Sequence, residues 1–139
     1  MTDPAASARE FVLDAHADTV EAVLRHGSAV LRKRDDSPAT DGTALAGALR
    51  IRLEAAGVWA RLPDILVGAV DAAGYSLSAR PVADPPYVVA TSRGPMLRAT
   101  LSDGRLVVLF GTFAVERGDP NRYVRGPRSP GDAVRTTWR

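Results

Sequence analysis

A chain of 139 residues with 45% apolar side chains and 24% charged ones has the make-up of one globular domain, not of a disordered segment. It contains no cysteine, which excludes a disulfide framework and a thiolate metal site. Its net charge of +2 is uneven: residues 1–70 hold 8 basic and 10 acidic side chains, residues 71–139 hold 10 and 6, and the stretch from Arg117 onward is +4 by itself.

The elements follow in chain order. Asp3-Pro4 is a helix start, an acceptor at the cap followed by a ring whose missing N–H costs nothing in the first turn. The pattern stays helical to about Arg34, with Val20, Val23, Leu24, Gly27, Val30 and Leu31 on one stripe and Phe11 and Val12 extending it. Unbroken, such a helix is about 45 Å long, more than a small core needs. The length predicts a kink near Gly27-Ser28, a frayed first turn, or a partner for the overhang. The charged, Pro- and Gly-containing stretch from Arg32 to Gly42 is a loop. Thr43 to about Ala56 is a second helix, with Leu45, Leu49 and Leu53 inside and Gly57 as its stop. Pro63-Asp64 starts a short apolar helix that ends at Gly74.

From Tyr75 the period changes to two. Tyr75-Ser-Leu-Ser opens a short strand, and Pro81, Pro85 and Pro86 confine the following stretch to an edge or a connector. Strands are expected over Tyr87–Thr91, Met96–Leu101, Arg105–Glu116 and Arg122–Arg125. Asp103-Gly104 is the pair favoured in a two-residue type I′ hairpin. That loop sets Leu101 opposite Leu106, Ala99 opposite Val108, and Leu97 opposite Phe110, all on one core face. The fold class is therefore α+β. An N-terminal layer of about three helices (about 4–74) precedes a mostly antiparallel sheet of three to five strands (about 75–126). Residues 1–126 form the single domain, and 127–139 form a loosely ordered basic tail.

The opposite face of the long strand carries Val107, Leu109, Phe113 and Val115, beside Arg98 and Thr100 on its neighbour. Burying Leu109, Phe113 and Val115 is worth roughly 5–8 kcal/mol before ordering costs, so the face needs a cover. The long first helix is the internal candidate, and a second copy of the chain is the alternative. Val107, Leu109, Phe113 and Val115 are accordingly the candidate partner-binding residues.

Catalytic signals are sparse. On a helix, His16 of Asp14-Ala-His16-Ala-Asp18 points away from the two aspartates, so the triplet is no ligand set. His26 and Ser28 lack a nucleophile elbow and an acidic orienter. No phosphate-loop, dinucleotide, zincin or EF-hand string occurs. Carboxylate pairs would have to be assembled in three dimensions from Glu54, Asp64, Asp71, Asp84, Glu116 or Asp119. No cofactor and no metal are expected, and the chain reads as a non-enzyme. Three helices and a hairpin suggest a winged-helix DNA binder, but the recognition-helix position, Asp64 to Gly74, is apolar with two aspartates and suits a core.

Residues 85–101 (PPYVVATSRGPMLRATL), with Gly104-Arg-Leu-Val-Val, Val115-Glu-Arg and Tyr123-Val-Arg-Gly126, resemble a family of small uncharacterised haloarchaeal proteins. The resemblance covers about residues 55–126 and implies a cytoplasmic protein of unknown function, with no site residues to carry over. The net charge of +2 departs from the acidic surfaces of salt-adapted proteins.

The expectation is thus a cytoplasmic protein-interaction or assembly module whose partner is another protein chain, including a second copy of itself. The N-terminus lacks the basic and apolar segments of a signal peptide, and the longest apolar run, Leu106–Val115, is too short for a membrane helix. The first alternative is an accessory nucleic-acid binder using Arg93, Arg98, Arg117, Arg122 and Arg125 of the basic half. The second is an enzyme whose site forms only on folding.

Overall fold

The structure, a computed structural model, describes residues 3–34 and 38–139. The middle of the expected loop over 32–42 lies outside the described residues, as do residues 1–2. Helix α1 (Pro4–Arg32) starts at the Asp3 cap, whose side chain accepts from the N–H of Ala5. Helix α2 (Gly42–Ala55) is capped by Asp41, and a 3-10 turn (Trp59–Arg61) leads into α3 (Leu62–Ala72). Six strands follow: β1 (Val88–Thr91), β2 (Gly94–Thr100), β3 (Arg105–Phe110), β4 (Phe113–Glu116), β5 (Arg122–Arg125) and β6 (Val134–Trp138). A short helix α4 (Pro130–Ala133) precedes β6. The fold is α+β as the periodicities imply. A helix-rich region precedes a four-stranded antiparallel sheet in the order β1-β2-β3-β6 and a two-stranded sheet of β4 and β5.

One face of the larger sheet carries Val88, Leu97, Ala99, Leu106, Val108, Phe110 and Val134, all buried. α1 and α3 close this face with Val12, Val20, Val23, Leu66 and Val70. The helices approach closely: a Cβ on Gly68 of α3 would lie 2.2 Å from the Phe11 ring of α1. α3 itself is a core helix, burying Leu62, Ile65, Leu66, Ala69 and Val70. Arg50 of α2 ties the connector to the helices. It bonds Glu54 at 2.8 Å and Asp84 at 2.7 Å, and lies 4.8 Å over the Trp59 ring, whose indole N–H donates to the Ala83 carbonyl.

Five expectations are corrected. First, α1 kinks at His16 (φ −134°, ψ 25°) and not at Gly27. Gly27 is instead a contact point, since a Cβ there would lie 2.2 Å from Cγ2 of Thr112. Second, Tyr75–Ser78 forms no strand. The Tyr75 N–H donates to the Val70 carbonyl at 3.1 Å, closing the end of α3 instead of a ladder, and its ring stacks on Trp138 at 4.8 Å between centroids. Third, the β2–β3 loop has four residues, pairing Thr100 with Arg105, Ala99 with Leu106, and Leu97 with Val108. The backbone of Gly104 is not in the left-handed region that a type I′ turn demands. Its lack of a side chain admits Trp138 and Arg139, which a Cβ would meet at 2.8 and 2.5 Å. The register therefore moves by two residues, which keeps every side chain on its expected face.

Fourth, the strand expected over 105–116 is two strands in two sheets. At Gly111-Thr112 the chain leaves the ladder with its polar groups satisfied. The Gly111 N–H donates to the Ala133 carbonyl (2.8 Å), the Thr112 N–H to the Arg93 carbonyl (2.7 Å), and the Thr112 hydroxyl to the Phe110 carbonyl (2.9 Å). Fifth, 127–139 is not a loose tail. It forms α4 and then β6, which pairs with β3 and packs on α1. The Thr136 hydroxyl donates to the Ala5 carbonyl at 2.7 Å, and Arg9 Nε to the Val134 carbonyl at 3.2 Å.

The contact at Gly27 yields a test of sign. Alanine raises helix propensity over glycine by about 1 kcal/mol, but overpacking against Thr112 costs about 1–3 kcal/mol. Gly27→Ala is expected to lower the urea midpoint with an unchanged slope, and a raised midpoint would overturn the close-contact account.

Candidate interaction face of the sheet

Alternation decides what the larger sheet presents away from the helices. The outward positions are Val89 and Thr91 on β1, Met96, Arg98 and Thr100 on β2, Arg105, Val107 and Leu109 on β3, and Arg135 and Thr137 on β6. Pairing puts them in rows. Val89, Met96, Leu109 and Arg135 lie side by side across the four strands, and Arg98, Val107 and Thr137 form the next row. Val89, Met96, Val107 and Leu109 are half-buried, and no outward position is acidic. The result is an aliphatic centre flanked by Arg98, Arg105 and Arg135, with α2 alongside Thr91 at the β1 end.

Of the four candidate partner-binding residues, only Val107 and Leu109 belong to this face. Phe113 is buried beside Gly27 of α1, and Val115 sits on β4 opposite Tyr123 of β5. The helix expected to cover all four covers Phe113, because the break at Gly111-Thr112 carries the chain out of the sheet. Val89, Met96 and Arg135 were outside the sequence-based set. Parity along β1 and β2 marks the first two once pairing is known. Arg135 was hidden by reading 127–139 as a tail.

The candidate nucleic-acid residues scatter. Arg98 lies on the open face with Nε 3.3 Å from the Pro86 carbonyl. Arg93 is exposed in the β1–β2 turn, and Arg117 is exposed past β4. Arg122 bonds Glu116 at 2.8 Å, and Arg125 ends β5. They do not form one rim.

Several of the candidate chemical groups are drawn into other contacts. The Arg50 bonds occupy Glu54 and Asp84, Glu116 pairs with Arg122, and Asp64 lies 3.7 Å from Arg80. His16 stands edge-on to Phe11, 5.3 Å between centroids, and Asp18 accepts from the Thr19 N–H. His26 accepts a hydrogen bond at Nδ1 from Arg52 Nε at 3.0 Å. Ser28 faces a different set of residues, near Arg125 and Arg128, so His26 and Ser28 form no dyad. No helix among the described residues is long and apolar enough to cross a membrane.

A family model for a domain of unknown function, DUF7988, matches residues 6–139. The chain belongs to that family. The match spans every helix and strand of the fold apart from the first two residues of α1, and includes β6 and its Arg135. No curated protein and no solved structure matches the chain.

Burial, then the charges of Arg52 and Arg25, hold the His26 imidazole below its usual value of 6.5. A folded-state value below the unfolded one means that the unfolded chain takes the proton first as pH falls. Stability from neutral His26 is therefore present above that usual value and declines as pH drops below it. Between about pH 8 and about pH 5.5, the urea midpoint is expected to fall further for the native chain than for His26→Gln, which keeps an acceptor for Arg52 but does not titrate. Parallel pH profiles would remove His26 as the cause.

Proposed function

We propose that the protein is a non-enzymatic interaction module that holds an acidic protein partner on the open face of its four-stranded sheet. The observation that supports this most is the set Val89, Met96, Val107 and Leu109, half-buried aliphatics ringed by Arg98, Arg105 and Arg135 with no carboxylate among them. Completing their burial is worth about 3–6 kcal/mol, half the usual value for four such side chains. That is too little to offset the cost of association alone. The arginines supply the remainder as charge complementarity, which speeds encounter and rejects basic surfaces.

The same chemistry weighs against the other occupants. A second copy stacked face to face across a two-fold axis sets arginine rows against arginine rows. A single-stranded nucleic acid needs aromatic faces on which bases stack, and the centre here is aliphatic. Of the six carboxylates from which an acid–base pair could be assembled, Glu54, Asp84 and Glu116 are in ion pairs with arginine. The reading takes the protein to be cytoplasmic and haloarchaeal in type, on the resemblance of about residues 55–126.

The test compares the native chain with Arg98→Glu/Arg135→Glu, which leaves the inner face intact. Light scattering is expected to find both monomeric. Crosslinking from native lysate is expected to join an acidic protein to the open face, and the purified partner is expected to bind the variant at least roughly tenfold more weakly. A stable homodimer, a partner crosslinked elsewhere, equal affinity for the variant, or binding of nucleic acid through this face would each overturn the reading.

A further inference from the structure

Away from the open face, α1 passes the end of β5 and a second group of cations converges. Arg25, Ser28 and Arg32 stand at steps of three and four on one side of α1. With Glu21 and Leu24 they line one wall of a cavity of about 170 Å³, and Arg125 and Arg128 line the other. Among the described residues, four exposed arginines and one carboxylate, Glu21, line it. None of the four is in an ion pair among the described residues. The Ser28 hydroxyl oxygen is buried and has no hydrogen-bond partner.

Both features are costly in the empty protein. Like charges so gathered repel one another, and a buried hydroxyl without a partner loses the hydrogen bonds that water would supply. An oxyanion relieves both at once. It neutralises the arginines, offers several acceptors to planar guanidinium forks, and accepts from Ser28. Among the described residues, the local balance of four positive charges against one negative favours a compact, multiply charged anion over the monoanionic linkages of a nucleic-acid backbone.

We propose that this cavity binds a phosphate group, as free phosphate or diphosphate or as the end of a small phosphate monoester. Arg25 and Arg32 grip it from the helix, Arg125 and Arg128 from the strand and loop, and Ser28 donates to one oxygen at the base. The cavity opens to solvent, so the remainder of a monoester lies outside it. This site is independent of the sheet face, and either proposal can fail alone.

The experiment titrates the full chain at constant ionic strength with inorganic phosphate, inorganic pyrophosphate, glycerol 2-phosphate and a short oligothymidylate, following backbone amide shifts. Saturable shifts are expected at residues 25–32 and 125–128 with the three small anions, with pyrophosphate the tightest. Arg32→Gln/Arg128→Gln, which removes one guanidinium from each wall, is expected to weaken pyrophosphate binding roughly tenfold or more. Ser28→Ala, a smaller change that leaves every charge in place, is expected to weaken it several-fold and so isolates the hydroxyl. The proposal is overturned by shifts that do not saturate, by equal affinity in both variants, or by an oligothymidylate that binds here while the small anions do not.

Discussion

Gly111 and Thr112 hold the architecture together by ending one strand and starting another. The N–H groups of both residues and the Thr112 carbonyl have partners from other parts of the chain. The Arg93 carbonyl comes from the β1–β2 turn, the Ala133 carbonyl from α4, and the Gly126 N–H, which donates to the Thr112 carbonyl at 3.0 Å, from the end of β5. Space is as tightly set as hydrogen bonding. A Cβ on Gly94 would lie 2.1 Å from the Phe110 carbonyl oxygen, and one on Gly126 would lie 2.9 Å from that of Thr112. The helical layer joins through Gly27, which meets the Thr112 methyl. One two-residue segment thus aligns a hairpin, the small sheet, the C-terminal strand and the longest helix.

This junction also decides what the surface offers. Were the chain to continue straight, Phe113 and Val115 would extend the apolar row of Val107 and Leu109 into a long greasy strip. Leaving the sheet at Phe110 sends Phe113 under α1 and shortens the outward row. The same departure carries β5 and its following loop to the flank of α1, where Arg125 and Arg128 meet Arg25 and Arg32. Both surfaces therefore descend from one local event in the backbone.

Local patterns were enough to read the three longer helices. Asp3-Pro4 is a cap with a side-chain acceptor, and the leucine steps of α2 match its buried positions. The in–out parity of β2 and β3 was readable for the same reason, since a two-residue shift of register leaves parity unchanged. What escaped the sequence is tertiary in origin. Leu106 to Val115 is continuously apolar, and only contacts from Arg93, Ala133 and Gly27 reveal that it must divide. Residues 127–139 carry too many Gly and Pro for a strand by propensity, yet β3 has an unpaired edge that Val134–Trp138 satisfies. Gly27 and Gly104 resembled flexibility and turn signals, and both are spacing devices. The cluster at Arg25, Ser28, Arg32, Arg125 and Arg128 joins segments about a hundred residues apart, a separation that no linear motif spans.

The clasp between Ala5 and Thr136 has a bearing on how the protein is made. The earliest helix rests on the strand that a ribosome delivers after more than a hundred further residues, and β3 lacks its outer neighbour until then. The nascent chain must therefore wait with an unfinished ladder and an α1 that lacks its contact with β6, a period in which assistance from chaperones matters most.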